Sequence, residues 1–241
     1  MRPEAAGQEA LLESSGSSDG PSRPHFWNPR VSWRLAGVAA VVLAGLIAVQ
    51  LAPGWIERAG NWVHSAQAAP IAAGRPAFAV VDYGFSIKFP AVPARTDGDA
   101  DAGDGTVPMV TYQSGPDTAG YRATALDLPC TPASSDMKAR LKASLDSSVT
   151  SAATSSGSTV SGLVSRPLSV AGHQGLQYSY ALVKGKRPVH VTVAAFFDGP
   201  RFFVLMSTNP PADAWDTFLG SFQILSEPGT VQECAPFSGD S

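Results

Sequence analysis

From Leu35 to Ile56 the chain runs 22 residues without a charged side chain, and Val38, Val41, Val42, Leu43, Leu46, Ile47, Val49 and Leu51 make the run strongly apolar. As a helix, the interval from Trp33 to Trp55 spans about 33 Å, close to the hydrocarbon thickness of a bilayer. Trp27, Trp33, Trp55 and Trp62 lie in or beside it, where headgroup layers favour indole rings. A buried helix of a soluble domain shows a polar face, and this run shows only Gln50. A cleaved signal peptide has a shorter apolar region, and Ala66-Gln67-Ala68, a sequence signal peptidase accepts, lies well beyond the run. The segment therefore reads as an uncleaved transmembrane helix over 35–56, with a secreted domain released at Ala68 as the alternative. Arg23, Arg30 and Arg34 precede it closely, whereas Arg58 sits beside Glu57 and Arg75 is farther away. That bias places the N-terminus in the cytoplasm and everything after Ile56 outside.

The rest divides by composition. Residues 1–34 contain Ser14-Ser15-Gly16-Ser17-Ser18-Asp19-Gly20-Pro21-Ser22 and few large apolar side chains, and read as a disordered cytoplasmic tail. Residues 57–76 are rich in Ala and Gly, with Pro70 and Pro76, and read as a linker. A folded domain is expected over 77–225, followed by a C-terminal tail over 226–241 that carries Cys234. With 17 Lys+Arg against 20 Asp+Glu and a net charge of −3, nucleic acid is excluded as the main partner.

Within 77–225 the periodicity is mostly that of strands. Phe85, Ile87 and Phe89 alternate with polar residues after Phe78–Val81 and a turn at Asp82-Tyr83-Gly84. Met109–Gln113 and Tyr121–Leu128 flank the turn Ser114-Gly115-Pro116-Asp117. The period then changes: Met137, Leu141, Leu145 and Val149 recur every four residues behind Ser134, Ser135 and Asp136, predicting a capped helix that ends before Gly157. Three alternating strands follow, from Leu176 to Leu182, Val189 to Phe197 and Phe202 to Met206. Asn209-Pro210-Pro211 reads as the start of a second helix with Ala214, Trp215, Phe218 and Leu219 as its stripe, before a short strand at Phe222–Leu225. The fold class is α+β: a mainly antiparallel, half-buried β-sheet covered by two helices.

Tyr83-Gly84-Phe85-Ser86-Ile87-Lys88-Phe89-Pro90 with Pro93, Gly172-His173-Gln174-Gly175-Leu176, Gly199-Pro200-Arg201-Phe202-Phe203-Val204-Leu205 and Phe218-Leu219-Gly220-Ser221-Phe222 resemble bacterial extracytoplasmic domains of the PsbP-like α/β/α sandwich type. The resemblance spans about 77–225 and carries over no ligand residue. It implies a non-enzymatic binding or accessory role, because relatives include extrinsic subunits of photosynthetic complexes and small binding proteins; with the 35–56 span, the expected location is the bacterial inner membrane. The partners expected are the bilayer, through 35–56, and an unidentified envelope protein or polymer.

Reactive constellations are scarce. Asp97, Asp99, Asp101 and Asp104 begin like a calcium loop, but Ala102 stands where the sharp turn needs Gly and Pro108 where a bidentate Glu belongs, so a solvated loop between strands is expected. Cys130 and Cys234 are candidates for one disulfide tying the tail to the body, with two unrelated free thiols as the alternative. His173 and His190 read as surface residues, and neither a Gly-x-Ser-x-Gly elbow nor zinc spacing occurs. Neither cofactor nor metal is expected, and an envelope hydrolase with an unrecognised serine nucleophile is the enzymatic alternative. Lys184, Lys186 and Arg187, at a hairpin tip, form the sharpest basic cluster and the candidate contact for anionic lipid or polymer.

Overall fold

The computed structural model describes residues 67–101 and 106–236. The expected tail (1–34), transmembrane helix (35–56), first half of the linker and Asp104 lie outside the described residues. Those described form β1 (Phe78–Val80), β2 (Phe85–Ile87), β3 (Ala94–Asp101), β4 (Thr106–Ser114), β5 (Tyr121–Asp127), α1 (Met137–Ser156), β6 (Thr159–Val170), β7 (His173–Lys184), β8 (Arg187–Asp198), β9 (Arg201–Thr208), α2 (Ala214–Gly220) and β10 (Gln223–Ile224). Seven strands make one antiparallel sheet in the order β3-β4-β5-β9-β8-β7-β6, and β1-β2-β10 make a second, small one.

The large sheet is buried on both faces, not one, so the expectation of a half-buried sheet is corrected. On one face Leu141, Leu145, Val149 and Ala152 of α1 pack over Tyr178, Tyr180, Val191, Val193, Phe202 and Val204. On the other, the small sheet and α2 bring Phe85, Ile87, Trp215, Phe218 and Phe222 against Ala123, Ala194, Phe196, Phe203 and Leu205. Every residue of β9 is therefore buried, which explains why Phe202 to Met206 is an unbroken apolar run. Four rings close the centre of the second core: Phe203 stacks on Phe196 at 5.2 Å and meets Phe85 and Phe222 edge-on at 5.4 and 5.0 Å.

α1 follows its predicted bounds. Gly157 ends it in the left-handed conformation (φ 60°), and the Ser158 N–H closes on Ala153 O at 2.9 Å, the bonding of a Schellman end. At its start Asp136 takes the capping position without a side-chain capping hydrogen bond. Ser144, Ser148 and Ser156 lie on its buried face, where small side chains let the helix approach the sheet. Ser148 and Ser156 donate back to the Ser144 and Ala152 carbonyls at 2.6 Å.

Two further expectations change, and one strand has no counterpart in the sequence pattern. Residues 94–101 are a strand, not a loop, because each pairs in register with β4 from Gln113 to Thr106. β6, to which the periodicity gave no signal, pairs along β7 with a bulge between Ser161 and Val164. Asn209 does not start the second helix: its side chain donates to Thr118 O at 2.8 Å and accepts the His190 N–H at 2.9 Å, while α2 begins after Asp213. Packing also begins early, at Ala68, which is buried and donates its N–H to Asn209 O at 2.9 Å, within the stretch that reads as linker.

All five tyrosines of the chain (Tyr83, Tyr112, Tyr121, Tyr178 and Tyr180) have phenol pKa values raised above the ordinary 10.0, with burial the first cause at each. At Tyr178 the hydrogen bond to the Asp146 carboxylate adds to it. A phenol whose pKa is higher folded than unfolded stabilises the fold fully below its unfolded value, and that stabilisation is lost as pH rises through the folded value. Thermal midpoints are therefore expected to hold level up to about pH 9.5 and to fall beyond about pH 10, with tyrosinate absorbance appearing together with unfolding. Tyrosinate forming at its ordinary pH in an intact fold would contradict this.

Candidate functional site

Pairing at one end of the large sheet sets charged side chains side by side. Arg201 is the register partner of both Asp127 on β5 and Asp198 on β8, and His173 opens β7 beside the end of β8. The row Asp127, Arg201, Asp198, His173 thus crosses four strands. Arg201 is buried and occupied: its Nε donates to Asp127 Oδ1 at 2.9 Å and its Nη1 to Ser226 O at 3.3 Å. His173 Nε2 stands 3.7 Å from Asp198 Oδ1, beyond hydrogen-bond reach.

A strap, residues 225–235, lies across this row. The Leu225 and Ser226 N–H groups donate to Gly84 O at 2.7 and 3.3 Å. Gly84 is required there, since φ is +58° and a Cβ would collide with Ser226 Oγ. Farther on, Thr131 N–H donates to Gln232 O and Cys234 N–H to Thr131 O, both at 2.8 Å. Arg140 Nη2 donates to Ala235 O at 2.7 Å. Cys130 and Cys234 are joined, with Cα atoms 4.9 Å apart. Part of the expected C-terminal tail is thus strapped to the body.

One cleft lies against the strap, and another opens beside Asp127 at the far end of the row. The first, about 610 Å³, is walled by Thr131, His173, Asp198, the Gly199-Pro200 turn and residues 224–231 of the strap. The second, about 560 Å³, is lined by Asp82, Tyr83, Arg95, Asp97, Asp99 and Asp127 among others. In the second, Arg95 lies 5.9 Å over the Tyr112 ring and binds Asp97 at 2.7 Å and Asp82 at 3.3 Å. The hydrogen bond from Arg95 holds the Asp97 carboxyl below its usual range. These aspartates are engaged with a guanidinium, and among the described residues no group of three or more His, Cys, Asp or Glu is placed to hold a metal ion.

The other sequence candidates fall elsewhere. His190 is exposed on β8. At the basic tip, Lys184 is engaged: its Nζ donates to Ser156 O at 2.8 Å, placing a cation at the C-terminal end of α1. Lys186 and Arg187 are exposed beside it. Asp198 escaped the sequence reading, because an Asp before Gly-Pro reads as an ordinary turn residue. The signal available was its position beside His173 once β7 and β8 are paired as a hairpin.

No family model matches the chain, and neither does any curated protein. Among solved structures, it is similar to cyanobacterial PsbP from Synechocystis sp. PCC 6803, at 11% identity over 62% of this chain and 91% of that one, with a TM-score of 0.44. It is also similar to PA94 of Pseudomonas aeruginosa, a protein of unknown function, at 12% identity over 65% of this chain and 100% of that one, with a TM-score of 0.31.

Proposed function

We propose that this chain is a single-pass envelope protein of the bacterial inner membrane, anchored by 35–56 with its N-terminus in the cytoplasm. Its extracytoplasmic body, a PsbP-like sandwich, is a non-enzymatic binding module. The observation that carries this reading is the strapped cleft: a row of charged side chains, two of them (Arg201 and Asp198) buried, partly roofed by a segment tied to the body at both ends. A wall fixed by a cross-link presents a preformed surface, which lowers the ordering cost of binding. Lys186 and Arg187 are proposed as a secondary contact with anionic lipid or polymer.

The test uses the full-length protein in intact cells. A photo-cross-linking residue at Thr230, on the cleft wall, is expected to capture a discrete neighbour that the same residue at Lys138, on exposed α1, does not. Identical capture from both positions would defeat the cleft as the binding face. Labelling of a C-terminal tag only after the inner membrane is permeabilised would defeat the topology.

A second reading makes the cleft hydrolytic, with Ser226 as nucleophile and His173 as base. In its favour, both line one cleft with Asp198; against it, among the described residues no hydroxyl is hydrogen-bonded to His173. Labelling by a fluorophosphonate, abolished by Ser226→Ala, would establish this reading.

A further inference from the structure

We propose that the strapped cleft receives an aliphatic ammonium group, with Asp198 as its counter-ion; this rests on the binding role argued above and names the ligand chemistry. Asp198 is 8% exposed, yet its Oδ2 has no hydrogen-bond partner among the described residues and its Oδ1 has only the distant imidazole of His173. Arg201, its neighbour in register, is turned to Asp127 and the strap. Buried carboxylates in folded proteins are normally satisfied by several N–H or O–H donors, and one without any is costly unless a donor arrives from outside. The cleft that Asp198 lines is the route by which a donor can reach Oδ1, the oxygen of this carboxylate that is not sealed.

The shape of the site selects the donor. Oδ2 is sealed from solvent, which leaves Oδ1 on the His173 side and permits one hydrogen bond rather than the fork of two that a guanidinium makes. A compact ammonium suits one oxygen. The lining also includes Pro200, Ile224, Leu225, Pro228 and Val231, apolar surface suited to a methylene stem. Glu227 adds a second negative charge to the lining. An ammonium carried on a short aliphatic chain, either a free diamine or a lysine side chain of a peptide, satisfies all three features.

The experiment titrates the full-length protein in detergent micelles with diaminopentane, with Nα-acetyl-lysine amide, and with the norleucine and arginine counterparts of the latter. Backbone amide shifts of Gly199, Ser226 and Thr230 report occupancy. Saturable shifts are expected with the two ammonium probes, none with norleucine, and at least about tenfold weaker binding with arginine. Tighter binding of diaminopentane than of the lysine amide assigns the ligand to free diamines, and the reverse assigns it to a lysine on a chain. Asp198→Asn is expected to weaken both ammonium probes at least about tenfold while the thermal midpoint holds or rises, because an orphaned charge has been removed. A second variant, Thr230→Trp, fills the cleft from an exposed wall and is expected to block binding with Asp198 intact. The inference is overturned if neither ammonium probe saturates, if Asp198→Asn binds as tightly as the parent, or if norleucine or arginine binds as well as lysine. Discrete capture at Thr230 in cells without amine binding would overturn this inference and leave the binding role standing.

Discussion

Replacing Cys130 and Cys234 together by serine is expected to lower the unfolding free energy of the body by about 4.7 kcal/mol, the chain-entropy value for a loop on the order of 100 residues. The joined residues are 104 apart in sequence, so the bridge restricts most of the unfolded chain of the body. In the native state the strap would then be held by backbone bonds to Gly84 and Thr131 and by Arg140 and Arg201, each worth on the order of 1 kcal/mol. Two measurements separate these effects. The urea midpoint is expected to fall by the same amount in the double variant and in reduced parent protein. Amide exchange is expected to quicken locally at Cys234, whose N–H meets Thr131 O, more than at Phe203 in the middle of the sheet. Equal midpoints for the oxidised and reduced protein would refute the stabilising role of the bridge.

Phe203→Ala is expected to cost about 3–5 kcal/mol, the range for removing a fully buried ring. Phe203 is 0% exposed and lies between Phe196, Phe85 and Phe222, so its removal leaves a cavity lined by three rigid rings. Those rings come from the large sheet, the small sheet and the segment after α2, which limits how far the site can collapse. Phe203→Leu keeps most of the volume and is expected to cost less than about 2 kcal/mol. Val81→Ala, at 82% exposure, is the control and is expected to stay within about 0.5 kcal/mol. If Phe203→Ala fell within the control's range, the second core would not be packed as described.

What could be read from the sequence follows from which residues the fold must bury. β2, β5, β7 and β8 announce themselves because each places apolar side chains at a fixed period against a covering layer, and β9 because it is apolar from Phe202 to Met206. The two strands that escaped, β3 and β6, are the two edges of the large sheet. β3 carries Arg95, Asp97 and Asp99, charges that keep a sheet edge from pairing with another chain and that also look like a loop. β6 is exposed over most of its length and interrupted by Gly162 and Pro167, so it repeats no pattern of burial. Long-range pairing makes both of them strands. The candidate site was hidden for the same reason: Asp198 and His173 are 25 positions apart in sequence, and only the pairing of β7 with β8 makes them neighbours. The cysteines stood out because they are the only two.

The bridge also divides how the body answers a mechanical load. Cys130 follows β5 and Cys234 follows β10, so α1, α2 and the five strands from β6 to β10 sit inside a covalent ring. If force enters from the amino-terminal side, the chain from Ala68 to Cys130 can unravel by on the order of 200 Å at about 3.3 Å per residue. Beyond that extension the tension passes from sulfur to sulfur, and the enclosed half of the fold feels none of the pull.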